Sequence, residues 1–157
     1  MSAPPEKLGI STVNTGAEGA DVSPIDMVER LAEALDADDF DRVEACLHPD
    51  VDYRIGGATH HGSAAVVASY RTGSELAQRL FDQVDYGHTI VESAPGPTVR
   101  VDFSDLLRVS GALFEHHSVQ DITVHSNGTI IAIVDQPVAG QRELLDAFMD
   151  RHGLRRP

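Results

Sequence analysis

The chain has 157 residues, 41% of them hydrophobic, and its 12 basic and 25 acidic side chains leave a formal net charge of −13. That is one domain's worth of sequence, enough to bury a core, and the acidic excess argues against nucleic acid or an anionic membrane as partner, because phosphate contacts need clustered Lys and Arg. One cysteine excludes an intrachain disulfide and fits a reducing, cytoplasmic setting, and no apolar run approaches the ~20 residues of a membrane span.

Residues 1–22 are rich in Ala, Pro, Gly, Ser and Thr without periodicity and lack a signal-peptide pattern, so a disordered leader is expected there. Order begins at Ser23-Pro24, a helix cap followed by proline at the first helical position, after which Met27, Val28, Leu31 and Leu35 recur at helical spacing. The break DADDF leads into a short second helix marked by Phe40, Val43 and Leu47, with Asp39 or Asp41 near its cap and His48-Pro49 ending it. Cys46 lies in this stretch and is read as a small buried hydrophobe in preference to a nucleophile. A brief strand with Val51, Tyr53 and Ile55 inward follows, then a loop, GGATHHG. Ser63 caps a third helix, disturbed near Thr72-Gly73 and resuming through SELAQRLFDQV, as one kinked helix or as two.

From His88 the apolar period becomes two, the mark of strands. HTIVESA is ended by PGP, and TVRVDFSDLLRV places Val99, Val101, Phe103, Leu107 and Val109 on one face. Ser110-Gly111 then turns the chain into ALFEHHSVQDITV, and Asn127-Gly128, a strong hairpin signal, leads into TIIAIVDQ. Gly140 precedes a last amphipathic helix with Leu144, Leu145, Phe148 and Met149 on one side, so residues 140–157 form a C-terminal helix and tail. Helices first and a meander of long strands afterwards argue for an α+β fold, with helices packed on one curved antiparallel sheet.

Hairpin register converts this pattern into a candidate site. A turn at Ser110-Gly111 pairs Val109 with Ala112, so Leu107 faces Phe114, Phe103 faces Ser118, and Asp105 stands directly opposite His116. The Asn127-Gly128 turn pairs Ser126 with Thr129, so Val124 faces Ile131, Ile122 faces Ile133 and Gln120 faces Asp135. Asp105, His116, Ser118, Gln120 and Asp135 then share one otherwise apolar face, while Glu115, His117, Asp121 and Thr123 point the other way.

A His–Asp dyad explains two polar residues set opposite each other on an apolar face. Asp105 orients the imidazole and favours its charged form, and His116 serves as general base or acid. A mutually satisfied structural pair is the alternative. Tyr53 either donates a phenolic hydrogen bond into the pocket or is a core tyrosine satisfied by backbone. His60-His61 is a weak metal signal, without carboxylates at fixed spacing, and Tyr70 falls at core spacing on its helix.

The stretch ALDADDFDRVEACLHPDVDYRIGGATHHGSAAVVASY, with SNGTIIAIVDQ near the end, resembles the nuclear transport factor 2-like superfamily in its SnoaL-like and ketosteroid isomerase-like branches, over residues 25–138. The resemblance implies a cone in which a curved sheet wraps helices around an open-ended pocket, with the SnoaL-like domain at residues 23–139. It also implies a homodimer, and acid/base chemistry on small organic molecules without a cofactor. The isomerase-type base falls near Ile55, and the acid of the penultimate strand falls at Gln120 and not Asp121, so ketosteroid isomerase activity is not expected. No inward Arg supplies the Asp-Arg-Asp arrangement of the epoxide hydrolases.

The expectation is therefore a cofactor-independent isomerase, dehydratase or cyclase acting on a mostly apolar substrate. His116 and Asp105 would be its catalytic residues, with Tyr53, Gln120, Asp135, Phe103 and Phe114 lining the substrate site. A non-catalytic ligand-binding or dimerisation module of the same fold is the alternative.

Overall fold

The computed structural model of the chain describes residues 22–91 and 96–156, so nearly all of the expected leader lies outside the described residues. Helix α1 (Pro24–Asp36) starts as the sequence predicts, with Ser23 Oγ accepting the Asp26 N–H at 3.1 Å, and it buries Val28, Leu31, Ala32 and Ala34. The chain reverses through Asp38, whose φ of +51° is the left-handed conformation that Asp tolerates better than most residues. Asp39 then caps α2 (Phe40–Cys46) by accepting the Arg42 N–H at 3.3 Å, and Cys46 is buried.

Strand β1 (Leu47–Ile55) begins earlier than expected: Leu47 leaves the helix, and His48-Pro49 lies inside the strand. Proline is tolerated there because pairing with β6 jumps from Leu47↔Ile130 to Asp52↔Ala132, leaving an irregular stretch that makes no regular ladder. The expected loop at GGATHHG is also corrected. Gly56 and Gly57, both at positive φ, make a tight turn into β2 (Ala58–His61), an edge strand pairing Ile55 with Ala58 and Asp52 with His61.

Helix α3 (Ser63–Leu80) is continuous through Gly73, is entered from Gly62 without a side-chain cap, and ends at Leu80. Gln83 and Val84, expected in that helix, open β3 (Gln83–Val91); the end of the predicted HTIVESA strand falls in residues 92–95, outside the described residues.

Strands β4 (Thr98–Val109) and β5 (Ala112–Val124) pair without interruption from Thr98↔Thr123 to Val109↔Ala112, in the predicted register. Ser110 and Gly111 both take positive φ in a two-residue turn whose twist matches the strands. Strand β6 (Ile130–Gln136) keeps Gln120↔Asp135 and Ile122↔Ile133, but the hairpin is wider than the two-residue turn predicted. His125 donates to the Thr129 carbonyl, Gly128 sits at φ +91°, and Ile131 is left as a bulge, so Val124 faces Ile130 and not Ile131.

The six strands lie in the order β2-β1-β6-β5-β4-β3, all antiparallel except the β1–β6 pair, in a curved, unclosed sheet. The expected α+β cone is thus observed. α1 packs over β3, β4 and β5, and α3 over β1, β2 and β3. The core is divided. One cluster joins α1, α2 and α3 to Val51, Tyr53, Val99, Val101, Ile122 and Ile133. A second, at the turn end of the β4–β5 hairpin, gathers Phe81, Leu107 and Val109 under Phe148 and Met149 of α4 (Gln141–Arg151).

Leu144, expected on the buried side of α4, is instead 55% exposed, because the helix rests on its Leu145, Phe148 and Met149 side. Phe148→Ala should therefore cost about 3–5 kcal/mol in urea unfolding, and Leu144→Ala less than about 0.5 kcal/mol; equal losses would contradict this packing.

Candidate functional site

The two core clusters leave a gap, and the inward positions of the long strands show why. Along β4 the inward order is Val99, Val101, Phe103, Asp105, Leu107, Val109; along β5 it is Phe114, His116, Ser118, Gln120, Ile122. Apolar residues fill both ends, and the polar positions between them open on a cavity of about 350 Å³. That volume lies within the ~300–1,000 Å³ usual for small-molecule pockets. Of the predicted site residues, His116, Asp105, Tyr53, Gln120, Asp135 and Phe103 line the cavity, as does Ser118. Phe114 does not: its ring lies 5.3 Å from that of Phe148, in the cluster under α4.

Asp105 and His116 face each other across β4 and β5 as the register requires. Their Oδ2 and Nδ1 are 3.7 Å apart, an ion-pair contact longer than a hydrogen bond, with both side chains partly exposed to the cavity. Asp135 lies across β5 and β6 from Gln120. Burial raises the Asp135 carboxyl above its ordinary value, and the charge of His116 pulls the other way.

Gln120 is the one buried polar side chain among the described residues, and it links two tyrosines. Its Oε1 accepts the Tyr70 hydroxyl at 2.9 Å, and its Nε2 donates to the Tyr53 hydroxyl at 3.0 Å. The two phenol rings stack 5.0 Å apart, and burial raises both phenols' pKa values, so they stay neutral donors and acceptors. Tyr70, read from the sequence as packing, is thus also part of the cavity's polar wall.

The sequence reading missed the side of the cavity built by α1, α3 and β3. Asp36 and Asp38 at the end of α1, Ser74 of α3 and Tyr86 of β3 all line it. Ser74 Oγ donates to the Asp38 carboxylate at 2.9 Å and lies 3.0 Å from the Tyr86 hydroxyl, while Gln78 Nε2 donates to Asp38 at 2.9 Å. Tyr86 sits directly opposite Asp105, so Tyr86, Asp105 and His116 form one row across three strands. Asp38 and Ser74 carried no periodic signal, and Tyr86 was hidden by extending the helix through Val84.

His117 and Asp121 turn outward, as strand parity predicts. His117 Nδ1 meets Asp102 and its Nε2 meets Glu115, each at 2.9 Å, and Arg100 Nε donates to Asp121 at 2.8 Å. His61 pairs with Asp52 at 2.6 Å on the exposed rim, and among the described residues no group of three His, Cys, Asp or Glu side chains is arranged to hold a metal ion. No helix among the described residues is long and apolar enough to cross a membrane.

The hydrogen bond that His117 donates to Asp102, against burial and helped by Glu115, raises the His117 pKa from its ordinary 6.5. A raised pKa means that the stabilisation is complete below 6.5 and fades as pH climbs through the folded value. The stability difference between the wild type and His117→Asn should therefore shrink as pH rises above 6.5 in urea unfolding; a pH-independent difference would count against the ion pairs.

The family model described as SnoaL-like domain matches residues 28–117. No curated protein matches the chain significantly. Among solved structures, an LEH-like epoxide hydrolase from Mycobacterium tuberculosis is 22% identical over 81% of this chain and 96% of its own, with a TM-score of 0.56. A candidate polyketide cyclase from Sinorhizobium meliloti is 19% identical over 75% of this chain and 98% of its own, with a TM-score of 0.55. The M. tuberculosis protein RV0760c, in complex with estradiol-17β-hemisuccinate, is 16% identical over 76% of this chain and 97% of its own, with a TM-score of 0.57. These likenesses establish a common fold. With the family model spanning more than half of its length, the chain belongs to the SnoaL-like domain family of the nuclear transport factor 2-like superfamily.

Proposed function

We propose that this protein is a cofactor-independent acid/base enzyme, an isomerase, dehydratase or cyclase, acting on a small and mostly apolar organic molecule. The observation that carries the reading is the pairing of His116 with Asp105 at the wall of a largely apolar cavity. In this reading Asp105 orients the imidazole, and His116 takes a proton from the substrate or gives one to it. Tyr53, Gln120 and Asp135 hold the substrate's oxygen, and Phe103 packs against its carbon frame. At 3.7 Å the two groups are within ion-pair reach, and contacts of this kind tighten when substrate is held between catalytic side chains. The domain at residues 23–139, with residues 140–157 folded back over one end of the sheet, would work as a homodimer, a state that sedimentation tests directly.

Because the natural substrate is unidentified, the assay uses a generic proton transfer, the exchange of α-protons of small cyclic ketones for deuterium in D₂O, followed by NMR. Wild type should accelerate the exchange, His116→Ala should lose at least ~100-fold, and His117→Ala should stay within about threefold because its side chain lies on the far face of the sheet. Equal losses in the two variants would contradict the assignment. Ketone binding without exchange would favour the ligand-binding module instead.

A further inference from the structure

The inward face of the sheet carries a second histidine, behind the cavity lining. His88 follows Tyr86 by two residues on β3 and faces Phe103, one row deeper than the Tyr86–Asp105–His116 row. Helix α1 straddles it. Glu29 and Asp36 are seven residues apart, about two turns, so they project from the same helix face. His88 Nδ1 meets Asp36 Oδ2 at 2.6 Å, and His88 Nε2 meets Glu29 Oε1.

An imidazole with a carboxylate at each nitrogen donates through both and carries the positive charge. The pair has an outer and an inner end: the Glu29 side chain is 39% exposed, His88 12% and Asp36 23%. Asp36 lines the cavity, and among the described residues its Oδ1 accepts no hydrogen bond. His88 thus fixes one oxygen of a cavity-lining carboxylate and leaves the other without a hydrogen bond. A structural clamp of α1 onto β3 alone would not require one of its carboxylates to be part of the cavity lining.

We propose that Asp36 is a second acid–base residue of the cavity, with His88 and Glu29 as its positioning pair. This rests on the functional reading above and supplies the proton-transfer partner that His116 lacks in it. In α-proton exchange the C–H bond breaks, its electron pair passes into the enol, the proton goes to Asp36 Oδ1, and protonated His116 gives its proton to the carbonyl oxygen. The return step delivers a solvent-exchanged deuteron from Asp36 to carbon and takes the oxygen's proton back to His116. No oxidant, reductant or third reactant is consumed.

The charges that reach Asp36 come from three elements. Burial raises its pKa, His88 of β3 lowers it, and Asp105 of β4 and Glu29 of its own helix raise it. At His88 burial opposes the charged form, but Asp36 and Glu29 outweigh it and raise the pKa. Asp36 is therefore a carboxylate whose basicity depends on the imidazolium behind it.

The test is the ketone exchange assay with Asp36→Asn, His88→Gln and His116→Ala, each checked for ketone binding by saturation-transfer NMR. Asp36→Asn should lose ~100-fold or more in exchange while still binding the ketone. His88→Gln should lose ~10–100-fold in kcat at little change in KM. Its pH–rate limb for the ionised carboxylate should also move to higher pH, because the cation that favours ionisation is gone. Exchange by Asp36→Asn within threefold of wild type, with His116→Ala inactive, would overturn the inference and leave the functional reading standing. Wild-type exchange at the solvent rate would overturn the reading and the inference with it. If Asp36→Asn does not fold, His88→Gln decides: lowered thermal stability with an unmoved pH limb marks a structural clamp only and overturns the role.

Discussion

The unbroken pairing of β4 with β5 is the constraint on which the molecule depends. Twelve residues of β4 meet their partners without a shift, from Thr98 at one end to Val109 at the other. A slip of one residue would exchange the faces of the strand, turning Arg100, Asp102 and Ser104 inward and their apolar neighbours out. Buried apolar residues at both ends oppose such a slip: Val99, Val101 and Ile122 in one cluster, Leu107 and Val109 in the other. The Ser110-Gly111 turn adds a local restraint, since both residues adopt positive φ. Fixing that register places Asp105 against His116 and carries the row on to Tyr86.

Holding several carboxylates around one partly apolar cavity is costly, and the fold distributes the cost. Asp36 has His88, Asp38 has Ser74 and Gln78, and Asp105 has His116. Asp135 faces Gln120, which is already committed to two tyrosines, and burial raises its pKa instead. Outside the sheet the same problem is met with a bidentate Arg100–Asp121 pair and the His117 ion pairs, where solvent screens the charges. The chain's negative charge is therefore not uniform in consequence. On the outer face it is solvated or paired; inside, burial raises the carboxyls of Asp36 and Asp135.

The parts legible in the sequence were those with a strict period. Alternation along β4 and β5 and the glycine-bearing turn between them were enough to pair Asp105 with His116, and helical spacing was enough for α1. The errors fell where the period is weak or two periods compete. Strand β2 is an exposed edge, so ATHH carries no apolar alternation, and only Gly56-Gly57 signalled a hairpin. Gln83 and Val84 continue a plausible helical pattern after Leu80, which concealed the start of β3 and with it Tyr86. The Asn127-Gly128 turn was recognised, but the bulge at Ile131 was not, because a bulge changes pairing without changing composition. Asp36, Asp38 and Ser74 were beyond reach for another reason: strand register says which residues share a sheet face, and nothing about which helix residues lie over it.

The division of the core into two apolar clusters has a consequence for how such a protein can change. Stability resides at the two ends of the hairpin, where side chains are buried in dense packing. The inward positions between them, Phe103, Asp105, His116 and Ser118, are only partly buried and border open space. Exchanging one of these removes few packing contacts and opens no sealed void, so the stability cost is low compared with that of a core position. The cone behaves as a frame with an interchangeable lining, in which new proton donors and acceptors can be tried one position at a time while the frame goes on folding.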